Sequence, residues 1–219
     1  MHQEEHIVKE KDKGKKTFEV GSRIIEAGFN LFRLYGIRAV TLDEIALQLG
    51  ISKKTIYENF SGKDDLVTQI VEGRVALMQQ QSLQVRAESN NAIESFLKNA
   101  NNLNTLFRNM NPLLIMDLKK FHPKAYGFYY EHMYGFVLES VSQTLERGID
   151  EGLFHAGTDV AIMARYRVES SLMCFRPGTF PKDRFEMSRV QLALMNHFLR
   201  GIATEKGLQV IKQYQNNKD

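Results

Sequence analysis

The chain of 219 residues has few of the residues that interrupt helices or cross-link loops. It contains four prolines, no tryptophan and a single cysteine, Cys174. One cysteine cannot form a disulfide within the chain, which excludes a small secreted scaffold held together by disulfides. The scarcity of proline, together with long segments of helical periodicity, predicts an all-α protein.

The sequence also lacks long apolar segments and a strong excess of one charge. No run of about 18 apolar residues occurs, and Met1 is followed by charged residues instead of the apolar run of a signal peptide. We therefore expect a cytoplasmic protein without membrane contact. Because the net charge is only +3, any binding to nucleic acid must use a local patch of positive charge.

Residues 41–60, TLDEIALQLGISKKTIYENF, have the spacing of two short helices joined by a turn. Thr41 and Glu44 form the capping-box pattern that begins a helix. Gly50 can take the left-handed conformation that ends this helix, and Ser52 is the predicted N-cap of the next one. This arrangement predicts a helix-turn-helix.

The second helix of this pair leaves polar and basic side chains on its free face. Ile56 and Phe60 fall on the inner side. The outward residues are Lys53, Lys54, Thr55 and Tyr57. A short helix with this free face suits insertion into the major groove of DNA. A helical hairpin buried in a protein core is the alternative.

The pattern continues on both sides, from residue 17 to residue 73. The residues IIEAGFNLFRLYGIRAVTLDEIALQLGISKKTIYENFSGKDDLV contain A-x-x-x-L-F, Y-G, T-x-x-x-I-A-x-x-x-G-[IV]-S and [IV]-Y-x-x-F-x-x-K-x-x-L in that order. This segment resembles the N-terminal domain of the TetR family of transcriptional regulators. Asn59 and Asp65 stand where that family usually has His and Glu. Ser61 is predicted to cap the helix that follows.

The resemblance implies an all-α chain with an N-terminal three-helix, helix-turn-helix DNA-binding domain over residues 17–64. A helical ligand-binding and dimerisation domain is expected over residues 65–205. Residues 1–16 are predicted to form a disordered tail of mixed charge, with an arm that contacts the DNA backbone as the alternative. Residues 206–219 are expected to be a frayed C-terminus.

Seven residues are predicted to contact DNA. Lys53 and Lys54 lie near base edges, where lysine can donate to guanine. Thr41 and Lys63 lie at helix N-termini, where backbone N–H groups favour a phosphate. The full set is Thr41, Ser52, Lys53, Lys54, Thr55, Tyr57 and Lys63.

The middle of the chain is rich in Phe, Tyr and Met. Such residues at helical spacing usually form a core, but with a few polar groups they can also line a pocket. The resemblance implies that the C-terminal domain holds a pocket for an unknown small-molecule effector. The candidate lining residues are Phe96, Phe107, Met110, Phe128, His132, Tyr134, Arg165 and Met173.

Two predicted helices near the C-terminal end, at about residues 159–175 and 182–204, are apolar on two sides. Such a helix needs two packing partners, so we predict a homodimer with a four-helix interface, which the resemblance also implies. Burial of both sides within one chain is the alternative. The candidate interface residues are Val168, Leu172, Phe175, Val190, Leu194 and Phe198.

Signatures of catalysis are missing from the sequence. It has no G-x-G-x-x-G, P-loop or G-x-S-x-G, and its histidines lack metal-ligand spacing. Cys174 lies in the apolar stretch SLMCF, which favours a core position. We therefore expect no enzymatic activity, no cofactor and no bound metal.

These observations predict a sequence-specific DNA-binding transcriptional regulator. The resemblance implies a repressor that binds a palindromic operator in double-stranded DNA as a homodimer and is released by a small molecule. A helical dimeric module that binds proteins, without specific DNA binding, is the alternative.

Overall fold

The computed structural model describes residues 2–176 and 178–216, with side chains from residue 19 onwards. The described residues form eleven α-helices and no β-strand, apart from one isolated bridge between Phe154 and Ala203. The all-α prediction is therefore confirmed. None of the helices in these residues combines the length and apolar content needed to cross a membrane.

The N-terminal half packs three helices and the start of a fourth around one apolar core. These helices are α1 (His2–Tyr35), α2 (Leu42–Leu49), α3 (Lys53–Asn59) and α4 (Lys63–Glu88). The side chains of Ile24, Ile45, Ile56 and Leu66, one from each helix, are fully buried. Each helix therefore contributes at least one large apolar side chain to this helix-turn-helix core.

Two predicted boundaries differ from the structure. The backbone of residues 2–16, predicted to be disordered, continues α1 without a break, because this segment has no proline and many Glu and Lys, which are good helix formers. The boundary predicted at residue 64 is too early, since Val67 and Ile70 of α4 pack in the helix-turn-helix core.

The C-terminal half is built from seven further helices, of which the first and the third pack against α4. They are α5 (Ala92–Phe107), α6 (Leu114–Phe121), α7 (Pro123–Glu131), α8 (Leu138–Asp150), α9 (Val160–Leu172), α10 (Met187–Ile202) and α11 (Glu205–Asn216). A π-helical turn, His132–Val137, joins α7 to α8. The helical backbone therefore continues without a break from Pro123 to Asp150.

The apolar interior of this half is divided into two clusters. The distal cluster is centred on Ile93, Phe96, Leu145, Phe154 and Leu199. The proximal cluster is centred on Met110, Cys174, Phe175 and Val190. Leu114 and Ile115 of α6 pack against both the proximal cluster and the helix-turn-helix core, so the proximal cluster lies on the side of the N-terminal half.

The predicted fraying of residues 206–219 is wrong for residues 206–216, which form most of α11. Ile211 is fully buried in the distal cluster. The backbone of Gly207 lies so close to the Leu153 carbonyl that a Cβ there would clash with it. This close approach anchors α11, whereas residues 217–219 lie outside the described residues.

Several polar contacts tie α6 and α7 to the N-terminal half. The buried carboxylate of Asp117 accepts the backbone N–H of Arg38 at 3.1 Å. His122 is hydrogen-bonded to Asp64 on α4. These two hydrogen bonds link α6 and the α6–α7 junction to the loop before α2 and to the start of α4.

Candidate nucleic-acid interface

The start and end of α2 are set by the residues that the sequence indicated. Thr41 Oγ1 accepts the N–H of Glu44 at 3.2 Å, and the Glu44 carboxylate accepts the N–H of Thr41 at 2.6 Å. Gly50 has φ 65°, in the left-handed region. The capping box and the glycine turn are therefore confirmed, and together they hold α2 and α3 at a fixed angle.

Helix α3 is short and is held at both ends. The hydroxyl of Ser52 accepts the N–H of Thr55 at 3.1 Å, which confirms the predicted N-cap. Ile56 and Phe60 are buried in the helix-turn-helix core. A seven-residue helix is marginal by itself, so this packing is what keeps α3 in place.

The solvent side of α3 presents a lysine and a tyrosine. The side chain of Lys54 is 85% exposed, and that of Tyr57 is 52% exposed. The ammonium of Lys54 lies 3.9 Å from the carboxylate of Glu58, a surface contact that contributes little to stability. Both Lys54 and Tyr57 are free to contact another molecule without unfolding the helix.

The other lysine of α3 is engaged within the protein. Lys53 Nζ lies 2.8 Å from the carboxylate of Asp43 on α2. This hydrogen bond raises the pKa of Lys53. The N–H of Thr41 lowers the pKa of Glu44, which keeps a negative charge at the start of α2. A DNA phosphate would have to compete with Asp43 and Glu44 at this end of the helix pair.

Lys63 begins α4, as predicted, but its side chain is only partly exposed. Its ammonium lies 5.9 Å from the centre of the Phe32 ring. Burial lowers the pKa of Lys63, while the charges of Asp117 and Glu44 oppose this change. Lys63 therefore packs at the joint between α4 and the helix-turn-helix core, and the predicted contact with phosphate would require its ammonium to leave the Phe32 ring.

The cap predicted for α4 is wrong. Gly62 occupies the N-cap position and makes no side-chain hydrogen bond. Ser61 instead donates its backbone N–H, at 2.8 Å, and its hydroxyl to the Asp65 carboxylate. Because that hydroxyl already donates to a carboxylate inside α4, it does not cap the helix.

Three further polar residues of the helix pair shape this surface and were missing from the predicted set. Asn59 donates to the carbonyl of Thr55 at 2.8 Å, so its amide closes α3 instead of facing solvent. Asp43 and Glu58 each place a carboxylate beside a lysine of α3. The spacing of Glu58, four residues after Lys54, is the sequence signal that could have revealed its pairing.

The eight residues predicted to line a pocket do not share one site. Phe96 belongs to the distal cluster, where it packs against Phe154 and Phe198. Phe107 packs in the proximal cluster against Phe175, and Met110 is also in that cluster. These three residues fill core positions.

The polar members of the predicted pocket set also have different surroundings. Tyr134 donates to Glu169 at 2.6 Å, and the exposed Arg165 lies over the Tyr134 ring. His132 is buried, and its Nδ1 has no hydrogen-bond partner. Phe128 and Met173 are partly exposed on α7 and the 3₁₀ turn that follows α9. Only His132 thus combines burial with an unsatisfied polar atom.

The predicted dimer residues are mostly core residues of a single chain. Val168, Phe175, Val190 and Phe198 are buried, and Leu172 and Leu194 are half-buried. The alternative of burial within one chain is therefore correct for these four. The large apolar residues of α9 that are exposed to solvent are Ile162, which is 59% exposed, and Tyr166, which is 44% exposed.

No three His, Cys, Asp or Glu side chains converge as a possible metal site in the part of the chain that the structure describes. Cys174 is buried, and the amide of Gln191 donates to its sulfur at 2.9 Å. Burial raises the pKa of the Cys174 thiol to about 11. The cysteine is therefore protonated and unreactive at neutral pH.

Comparison with known sequences finds the helix-turn-helix in a described family. The family model for bacterial regulatory proteins of the tetR family matches residues 24–70. The uncharacterized HTH-type transcriptional regulator YvaF of Bacillus subtilis (strain 168) is 33% identical over 105 residues, which are 48% of this chain and 55% of that protein. The match thus spans about half of either protein.

Solved structures share the fold over most of the chain. A TetR-family regulator from Agrobacterium tumefaciens has a TM-score of 0.72 at 14% identity and covers 86% of this chain and 100% of its own. The reduced form of E. coli NemR has a TM-score of 0.66 at 18% identity, covering 84% and 98%. A chain from Saccharomonospora viridis, solved in complex with choline, has a TM-score of 0.65 at 19% identity, covering 85% and 99%.

Proposed function

We propose that this chain, which belongs to the TetR family of transcriptional regulators, binds specific sites in double-stranded DNA through α3. The observation that carries the proposal is the exposure of Lys54 and Tyr57 on a short helix that is capped and buried on its other side. Such a helix can enter a major groove without rearrangement, with Lys54 near base edges and Tyr57 near the backbone.

We propose that two copies act together on a palindromic operator. The open apolar side chains of α9, Ile162 and Tyr166, support a contact between copies. Tyr166 also packs on the buried ring of Phe198 from α10, so the two helices would form this interface together. A symmetric dimer places two α3 helices in successive major grooves, about 34 Å apart.

We further propose that a small molecule bound in the C-terminal half releases the DNA, and that the bound protein represses transcription. The shared contacts of α4, α6 and α7 support this coupling, since Asp117 and His122 join them to the helix-turn-helix. The structure with choline supports a small molecule as the class of effector. We place the protein in the cytoplasm and assign it no enzymatic role.

Selection of bound fragments from random DNA tests the DNA-binding proposal. We expect the wild type to select a palindrome. Lys54→Ala should lower affinity for that site at least about tenfold, because a base contact is worth ~1–3 kcal/mol. Lys212→Ala, which removes an exposed lysine from α11, serves as the control and should leave affinity unchanged.

Two outcomes would count against specific DNA binding. Selected fragments without a consensus would contradict sequence-specific binding. Equal effects of Lys54→Ala and Lys212→Ala would show that α3 does not face the DNA. Either result, combined with no binding to random DNA at low salt, would favour the protein-interaction module.

A further inference from the structure

Several helical segments of the C-terminal half carry polar side chains with buried atoms, and on some of them these side chains stand between residues of different apolar clusters. On α5, residues 92–100 contribute to the distal cluster and Phe107 to the proximal cluster, with Asn104 between them. On α9, Ala164 is in the distal cluster and Leu172 packs against the proximal one, with Arg167 between them.

The same order holds on α10, and the π-helical turn adds one further buried polar residue. Gln191 of α10 lies between Val190 of the proximal cluster and Met195 of the distal cluster. His132, in the π-helical turn, precedes Val137, which packs against the distal cluster. We call these four residues, Asn104, His132, Arg167 and Gln191, the polar layer.

Arg167 is the charged member of the polar layer, and it is only 6% exposed. Its guanidinium donates to the hydroxyl of Ser170 at a long 3.4 Å. No ion pair among residues 19–176 and 178–216 includes Arg167. A guanidinium has five N–H donors, and buried charges in proteins are normally paired. The protein thus keeps a positive charge inside without a carboxylate to balance it.

Two neutral groups of the layer also have unused hydrogen-bonding capacity. Asn104 Oδ1 and His132 Nδ1 are both buried without a hydrogen-bond partner. Burial lowers the pKa of His132 to about 4, so the imidazole is neutral at pH 7. Burial lowers the pKa of Arg167 only to about 10, so that residue keeps its charge. The interior of the C-terminal half therefore holds one positive charge and, in addition, neutral polar groups with unused hydrogen-bonding capacity.

We propose that Arg167 belongs to the effector site and that this site takes a small organic monocarboxylate whose carboxylate pairs with the Arg167 guanidinium. This inference rests on the proposed control by a small molecule. A planar carboxylate can accept two parallel N–H bonds from a guanidinium. The apolar clusters on either side would hold the rest of the molecule, which is therefore apolar.

The charge balance separates a carboxylate from other anions. One carboxylate neutralises the single charge of Arg167, whereas a phosphate group carries about −1.5 to −2 at pH 7 and would leave negative charge buried. A cation such as choline would face Arg167 with a like charge. The inference therefore differs from a simple transfer of the ligand of the S. viridis chain.

Thermal unfolding of the full chain, without DNA, tests the charge and the site together. The probes are benzoate and hexanoate, their neutral amides, and choline, all at matched ionic strength. We expect at least one carboxylate to raise Tm saturably, by about 5 °C or more near a hundred times its Kd. The amides and choline should have no such effect. Because DNA is absent, this result does not depend on whether α3 binds an operator.

Two substitutions locate the response. Arg167→Met should abolish it, whereas Arg184→Met, at a side chain that is 78% exposed, should retain it. Without ligand, Arg167→Met should raise Tm by about 2 °C or more, because it removes an unpaired buried charge. Arg167→Lys keeps the charge but loses the planar fork, so its carboxylate response should be weaker than that of the wild type.

The inference is overturned if the carboxylates fail to raise Tm, or if the amides or choline raise it equally. A lower ligand-free Tm for Arg167→Met, together with an unchanged carboxylate response for Arg167→Lys, would show that the guanidinium has only a structural role.

Discussion

The recognition helix α3 carries Lys54 and Tyr57 on its solvent side, whereas α9 carries Arg167 on its buried side. In the N-terminal half, the helices meet through apolar side chains such as Ile45 and Ile56, and the charges stay outside. In the C-terminal half, there are two apolar clusters, and the helices that build them also carry the residues of the polar layer, including His132 with an unsatisfied atom.

This difference corresponds to two kinds of binding surface. A surface that binds DNA has to be exposed and rigid before the DNA binds. An apolar core holds the helices rigid while the charged side chains remain in solvent. A site for a small molecule encloses its ligand, so its polar groups are already buried in the ligand-free protein. Buried groups without partners lower stability, and a ligand that satisfies them recovers that stability on binding.

The largest expected effect comes from the apolar side of α3. Ile56→Ala should lower the free energy of unfolding by about 2–5 kcal/mol, because it leaves a cavity beneath the recognition helix where Ile56 is fully buried. Urea denaturation measures this change. Leu47→Ala, on α2, is the control, since Leu47 is 83% exposed and its loss should cost less than about 0.5 kcal/mol. Equal costs would mean that α3 is not held by this core.

The next effect concerns the polar layer and depends on pH. The pKa of His132 is about 4 in the folded protein, below its usual value of 6.5. As the pH falls, the unfolded chain takes up this proton first, so stability is lost between about pH 6.5 and pH 4. The full loss is about 3 kcal/mol.

Urea denaturation of the wild type and of His132→Leu at pH 7 and pH 4 isolates this contribution. We expect the wild type to lose more stability than the variant over this interval. His155→Leu, at an exposed position, should behave like the wild type. If His132→Leu loses as much stability as the wild type, the imidazole is not held neutral inside the protein.

The helix-turn-helix could be predicted from sequence because its signals are local. Thr41 with Glu44, Gly50 and Ser52 each set a helix end within a few residues, and such contacts follow from spacing alone. The C-terminal tail was predicted incorrectly because α11 depends on a distant contact, between Gly207 and Leu153. No local pattern reveals that contact.

The candidate residues of the C-terminal half show the same limit. An apolar stripe on a helix indicates burial but does not say which surface covers it, so the sequence alone cannot distinguish a dimer contact at Val168 and Phe198 from the burial within one chain that the structure has. Arg167 was missed because a charged residue in a helix normally faces solvent. Only the packing of α9 shows that it points inward.

The smallest effect compares an exposed lysine with a partly buried one. Lys54→Ala should lower the slope of log Kd against log salt by about 1, because one phosphate or base contact is lost. Lys63→Met should change the slope by much less, because its ammonium lies over Phe32 and near Glu44 and Asp117. Fluorescence anisotropy at several salt concentrations measures both slopes. If Lys63→Met lowers the slope as much as Lys54→Ala, the side chain leaves Phe32 when DNA binds. Partial burial in the free protein would then no longer separate structural lysines from those that bind phosphate.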